Sequence, residues 1–198
     1  MSVVLVDYGA GNLRSVTAAL VRAGAEPSVT TDPSSVREAS LAVIAGVGTV
    51  GSAARGLAHV ADVLRERAER GRPTLGICVG LQLLFERSEE GGHGLGLLHG
   101  SVRRLQARRV PHMGWNALAL LRPSPLLEGL DGADVYFAHS YAAEPADDVA
   151  VAGVEHDEAP VVAAVESGAV AGVQFHPERS GAAGARLLEN ALRWSRSA

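Results

Sequence analysis

Hydrophobic positions fall into two rhythms along this chain. Up to about residue 90, short continuous apolar runs alternate with stretches whose apolar residues recur at helical spacing. Val3–Val6 is the first run, and it ends in Asp7-Tyr8-Gly9-Ala10-Gly11, a strand giving way to a tight turn. Leu13, Val16 and Leu20 then lie on one helical face of 13–23, with Asn12 in the position of a cap. A second buried strand over 41–45 ends in Gly46-Val47-Gly48. Residues 53–70 read as one helix, the longest of the chain, with Leu57, Val60, Ala61 and Leu64 at helical spacing. Gly71 stops it, and a strand over 73–77 delivers Cys78. Such alternation predicts a mostly parallel sheet covered by helices on both faces.

The rhythm changes after residue 90. Glycines dominate 91–100, and short alternating stretches follow at 101–105, 116–121, 135–138, 149–154, 161–165 and 169–174. Turn-forming residues separate them, which predicts an antiparallel or mixed extension of the sheet. A final helix is expected over 181–196, with Leu187, Leu188, Ala191, Leu192 and Trp194 as its apolar members. With no linker, repeat or low-complexity stretch, residues 1–198 read as one α/β domain.

Composition narrows the chemistry. A net charge of −4 argues against general nucleic-acid binding. No apolar run reaches the roughly 18–20 residues of a membrane span, and the N-terminus lacks the basic start of a signal peptide. The sole cysteine forbids an internal disulfide and fits a reducing, cytosolic compartment. All 18 basic residues are arginine, which excludes lysine Schiff-base chemistry, covalent pyridoxal phosphate and a Walker A loop. The histidines at 93, 99, 112, 139, 156 and 176 show no metal-ligand spacing, and Gly9-Ala10-Gly11-Asn12 is too short for a dinucleotide fingerprint. Neither a metal nor a cofactor is expected.

That leaves the cysteine. In open α/β sheets, sites gather at the carboxyl ends of strands, where the glycine turns at 9–11, 46–48 and 76–80 fall. Gly76-Ile77-Cys78-Val79-Gly80-Leu81-Gln82 follows the logic of a nucleophile elbow, with a thiol in place of the hydroxyl. A sharp strand-to-helix turn exposes the sulfur, and the Val79 amide is a natural oxyanion donor. About a hundred residues on, Gln174-Phe175-His176-Pro177-Glu178 supplies a histidine two positions from a carboxylate. Read as an extended stretch, it sends both side chains from one face, so that Glu178 orients His176 as base and then acid. The competing reading is a buried structural cysteine and a core histidine.

Taken together, these segments resemble the class I (triad) glutamine amidotransferases, and within them the glutaminase subunits of imidazole glycerol phosphate synthases. The class-level likeness rests on 76–82 and on Gly172-Val173-Gln174-Phe175-His176-Pro177-Glu178, motifs that equally suit the glutaminase parts of other synthases. The narrower likeness rests on Asp7-Tyr8-Gly9-Ala10-Gly11-Asn12-Leu13, Val110-Pro111-His112-Met113-Gly114-Trp115-Asn116, Tyr136-Phe137-Ala138-His139-Ser140-Tyr141 and Ser88-Glu89-Glu90. It implies a flavodoxin-like sheet, a Cys78–His176–Glu178 triad acting on L-glutamine, and contacts to that glutamine from Gln82, Glu90 and the backbone of His139, Ser140 and Tyr141. It further implies an oxyanion hole completed by Gly46, Val47 and Gly48 beside Val79. Ammonia then passes to a separate (β/α)8-barrel cyclase subunit, with Asn12, Trp115, Tyr136 and Arg179 facing that partner in a heterodimer. Two positions depart from the family: Ala45 stands where proline is usual, which predicts a less rigid turn, and Val50 replaces a phenylalanine. A glutaminase of another pathway, or a non-catalytic regulatory module on the same fold, are the alternatives.

Overall fold

The computed structural model describes residues 1–197. Its first half runs β1 (Val3–Val6), α1 (Leu13–Arg22), β2 (Pro27–Thr30), α2 (Pro33–Glu38), β3 (Leu41–Gly46), α3 (Val50–Leu57), α4 (Ala61–Glu69), β4 (Thr74–Cys78) and α5 (Val79–Leu83). The second half runs β5 (Arg87–Ser88), β6 (Gly100–Arg104), β7 (His112–Ala117), β8 (Ala119–Leu120), β9 (Asp134–His139), β10 (Tyr141–Pro145), β11 (Ala150–His156), β12 (Ala159–Ser167), β13 (Val170–Val173) and α6 (Gly181–Ser197).

Eight strands form the main sheet in the order β2-β1-β3-β4-β13-β12-β11-β8. The pairings from β2 through to β13 are all parallel, and those from β13 to β8 are antiparallel. The first rhythm thus supplies four parallel strands, and the second adds β13 parallel to β4 before turning antiparallel through β12, β11 and β8. β1, β3, β4 and β13 are buried along their whole length, as expected for parallel strands covered on both faces. A three-stranded sheet (β10-β6-β5) and the β7–β9 ribbon stand beside it.

Several elements differ from expectation. The stretch at 53–70 is two helices, α3 and α4, and the longest helix is α6 with 17 residues. Leu57, Val60 and Leu64 are all fully buried, so the periodicity runs unbroken across the joint. The break arises because α4 docks on a separate partner. Arg67, fully buried, donates to the carbonyls of Val36, Arg37 and Ala39 at the end of α2 and to that of Pro73 before β4. Asn12 precedes α1 but makes no side-chain capping bond. The edge strand β2 was not foreseen, because its middle residues are exposed and leave no apolar run. α2 had a legible start: Asp32 accepts from the Ser35 amide at 2.8 Å, with proline at the first helical turn.

Ala45 lies inside β3, in register with Ile77, and not in the turn beyond it. Its carbonyl accepts from the Tyr8 hydroxyl at 3.0 Å. Val50 opens α3 and is fully buried.

Candidate active site

Register alone brings three distant segments together. In the β3–β4 ladder Gly46 sits opposite Cys78, so the 46–48 turn lies beside the cysteine. In the β13–β4 ladder Val173 sits opposite Ile77, so the chain leaving β13 arrives level with Cys78 and delivers His176 there. All three turns lie at the carboxyl end of the parallel strands, where sites of this architecture form.

Cys78 ends β4 and begins α5 with φ 55° and ψ −108°, a conformation L-residues rarely adopt. Its flanking glycines are required by close approach. A Cβ at position 76 would lie 2.5 Å from the Gly80 carbonyl, and one at position 80 would lie 1.7 Å from the Ile44 carbonyl. The elbow is therefore pressed against β3 with no room for side chains on either side.

His176 is extended, but Pro177–Arg179 is a single 3-10 turn. The pairing of His176 with Glu178 comes from this curl, and the extended geometry expected from the spacing is incorrect. Pro177 causes the difference: its fixed φ ends the strand and suits the first position of a helical turn. His176 Nδ1 bonds Glu178 Oε1 at 2.9 Å, with both side chains almost fully buried. The turn is pinned by the His176 amide on the Tyr136 carbonyl (2.8 Å), and by the Ser180 hydroxyl, which donates to the His176 carbonyl (2.7 Å). Burial, the largest single influence, pushes the His176 pKa down. Hydrogen bonds and charge from Cys78 and Glu178 outweigh it and carry the value up to about 10. The imidazole therefore holds its second proton between sulfur and carboxylate.

A pocket of about 310 Å³ opens above the cysteine. Cys78, Val79, Val47, Gly48, Gln82, Glu90, His139, Ser140, Tyr141 and His176 all line it. Gly46 instead faces a small gap behind the triad, shared with Asn12, His176 and Glu178. Pro111, Met113 and Ala138 line the main pocket too; they belong to the 110–116 and 136–141 segments, which gave them no role of their own. A larger hollow of about 850 Å³ lies between the three-stranded sheet and the antiparallel extension, but no cysteine or histidine lines it. Among the described residues, no group of three or more His, Cys, Asp or Glu is placed to hold a metal ion.

Around the pocket, Trp115 pairs with Tyr136 across the β7–β9 ribbon, their rings edge-on with centroids 6.0 Å apart. The Arg179 guanidinium covers the Tyr136 ring at 4.3 Å. Trp115 is 58% exposed, which removes ordinary core packing as its role. Asn12 is exposed on the other side of the gap behind the triad. Inside the β7–β9 ribbon, His112 and His139 are buried and held neutral, at about 4 and about 3. In both, burial is the main cause.

The glutamine amidotransferase class-I family model matches residues 4–194. The chain belongs to this family. Among curated relatives, the imidazole glycerol phosphate synthase subunit HisH of Halobacterium salinarum is 46% identical, over 96% of this chain and 91% of that protein. The subunit of the same name from Corynebacterium glutamicum is 43% identical, over 96% of both chains. A solved amidotransferase structure at 20% identity superposes with a TM-score of 0.78 over 98% of both chains, which speaks to fold alone. The PurLQS structure from Thermotoga maritima does so at 26% identity with a TM-score of 0.76. The mostly parallel sheet flanked by helices is thus the class I amidotransferase architecture, extended on one side by antiparallel strands. Among the described residues, no helix of this amidotransferase is long and apolar enough to cross a membrane.

Proposed function

We propose that this amidotransferase is the glutaminase subunit of an imidazole glycerol phosphate synthase in histidine biosynthesis. It hydrolyses L-glutamine and passes the ammonia to a separate (β/α)8-barrel cyclase, which makes imidazole glycerol phosphate and AICAR. The observation that carries the reading is the meeting of a strained, buried Cys78 with a proton-holding His176 on the wall of one small pocket.

Glutamine enters with its side-chain amide over Cys78. Gln82, Glu90 and the backbone of His139, Ser140 and Tyr141 hold its polar groups. The sulfur attacks the amide carbon, and the oxyanion is received by the Val79 amide and by the turn at Val47-Gly48, worth roughly 3–4 kcal/mol per donor. His176 gives its proton to the departing nitrogen, which leaves as ammonia and a Cys78 thioester. A water, deprotonated by His176, then cleaves the thioester and releases glutamate. Glu178 keeps the ring oriented through both steps. No step needs a metal or a cofactor.

The Trp115–Tyr136–Arg179 cluster and Asn12 form the face turned to the cyclase in a heterodimer, and residues 1–198 act as one domain. Cys78→Ala in the assembled enzyme is expected to abolish glutamine-dependent turnover and leave turnover with added ammonium intact. Loss of both activities in a folded complex contradicts the division of labour. Glutamine-dependent turnover that survives the substitution removes Cys78 as nucleophile.

A further inference from the structure

One fully buried polar side chain beside the triad has no part in the reaction above. Gln174 directly follows β13, and its side-chain nitrogen lies 3.6 Å from Cys78 Sγ, within hydrogen-bond range for sulfur. Its oxygen lies 3.1 Å from Gln82 Nε2. An amide can be turned either way, but here its neighbours decide the direction. Gln82 Nε2 also meets the Tyr141 carbonyl at 2.7 Å, and a carbonyl only accepts. The nitrogen of Gln82 is therefore a donor at this point, and the group it meets on Gln174 is the oxygen. That leaves the Gln174 N–H for the sulfur.

The remaining bonds agree in polarity. His139 Nδ1 donates to the same Tyr141 carbonyl at 2.9 Å, and as a neutral ring it accepts at Nε2 from His112 Nδ1 at 3.1 Å. His112, also neutral, accepts at its other nitrogen from the Asn116 amide at 3.4 Å. Each link from Asn116 inward thus has a single admissible direction. Both N–H groups of Gln82 are used, so Gln82 offers the pocket only its carbonyl oxygen, an acceptor for a donor group of the substrate.

We propose that Gln174 is a further catalytic residue, donating a hydrogen bond that stabilises the Cys78 thiolate and holds it aimed at the substrate carbon. This rests on the reading of Cys78 as the nucleophile. Other groups facing the sulfur are the Tyr8 phenol from the turn after β1, His176 with Glu178 behind it, and His139 and Glu90 on the pocket wall. All of those can titrate, whereas Gln174 donates at every pH.

The sole cysteine makes the test direct. Alkylation of the full-length chain by iodoacetamide is followed by mass across pH 5 to 10, for wild type, Gln174→Met and Gln174→Glu. Gln174→Glu keeps an acceptor for Gln82 at nearly unchanged volume, and the melting transition of each variant establishes that it is folded before its profile is read. Removing the donor is expected to slow alkylation at pH 6 about tenfold, the effect of one hydrogen bond to a charged group, and to move the midpoint to higher pH. The carboxylate of Gln174→Glu is expected to move it further. A wild-type profile in either folded variant overturns the proposal. That outcome differs from failure of the underlying reading, which shows as glutamine turnover surviving Cys78→Ala.

Discussion

His176 carries a strong electrostatic signature opposite in sign to that of the other buried histidines. Its folded pKa, raised to about 10 against 6.5 for an exposed imidazole, means that the native state binds its proton more tightly than the unfolded state. The resulting stability is fully present below pH 6.5 and is lost as pH rises through about 10. His112 and His139 have the opposite sign, since their lowered values destabilise the fold as pH falls below 6.5. The difference between wild type and His176→Gln isolates the first effect from the second. Urea unfolding is expected to show a deficit for His176→Gln at pH 6 that shrinks toward zero near pH 10; a deficit that grows with pH contradicts the assignment. At this scale the candidate chemistry is legible in the sequence, because a lone cysteine between glycines and a His-x-Glu pair are local patterns. Gln174 lies in the 172–178 motif, which by itself assigns it no role. It is a polar residue in an otherwise apolar run from 169 to 175, and buried polar groups are hydrogen-bonded. Which atom it serves depends on a contact 96 positions away.

Among the elements, the elbow between β4 and α5 is the most constrained. Gly80 tolerates no side chain because β3 runs directly beneath it, whereas Gly9 sits in open space with only a positive φ of 81° to satisfy. Gly80→Ala is therefore expected to destabilise by about 3 kcal/mol or more through overpacking. Gly9→Ala is expected to cost about 1–2 kcal/mol from backbone strain alone. Thermal and urea denaturation of both variants check the ranking, and equal costs would mean that β3 yields to the elbow. Helix and strand types followed from periodicity, but boundaries did not always. The joint between α3 and α4 was invisible because Leu57, Val60 and Leu64 keep one periodicity while two helices dock on different partners. The His-x-Glu spacing alone reads as extended, whereas Pro177 turns the chain into a 3-10 turn at Pro177–Arg179.

For the whole molecule, the decisive fact is that the pocket opens beside an exposed apolar rim. Met113 and Val47 line the pocket while being 64% and 44% exposed, and Trp115 stands next to Met113's neighbour on the same ribbon. Exposed large apolar groups around a site mark a surface that a partner covers. Trp115→Ala is expected to weaken association with the proposed barrel cyclase by about 2 kcal/mol or more, roughly thirtyfold in Kd, while leaving the melting temperature of the isolated chain within a degree or two. Analytical ultracentrifugation of the mixed subunits, beside a melt of the chain alone, reads both. A large loss of intrinsic stability with unchanged association would return Trp115 to a structural role.

From sequence alone came the alternation of strand and helix, the change of rhythm after residue 90, and the candidates for nucleophile and proton carrier. Each depends on spacing within a dozen residues, where covalent geometry and burial leave few choices. Only the tertiary structure decided that Val173 lies opposite Ile77 and Gly46 opposite Cys78, and that Gln174 points its nitrogen at the sulfur. Register between strands and the direction of a buried amide are set by partners far away in the chain, so no local pattern encodes them.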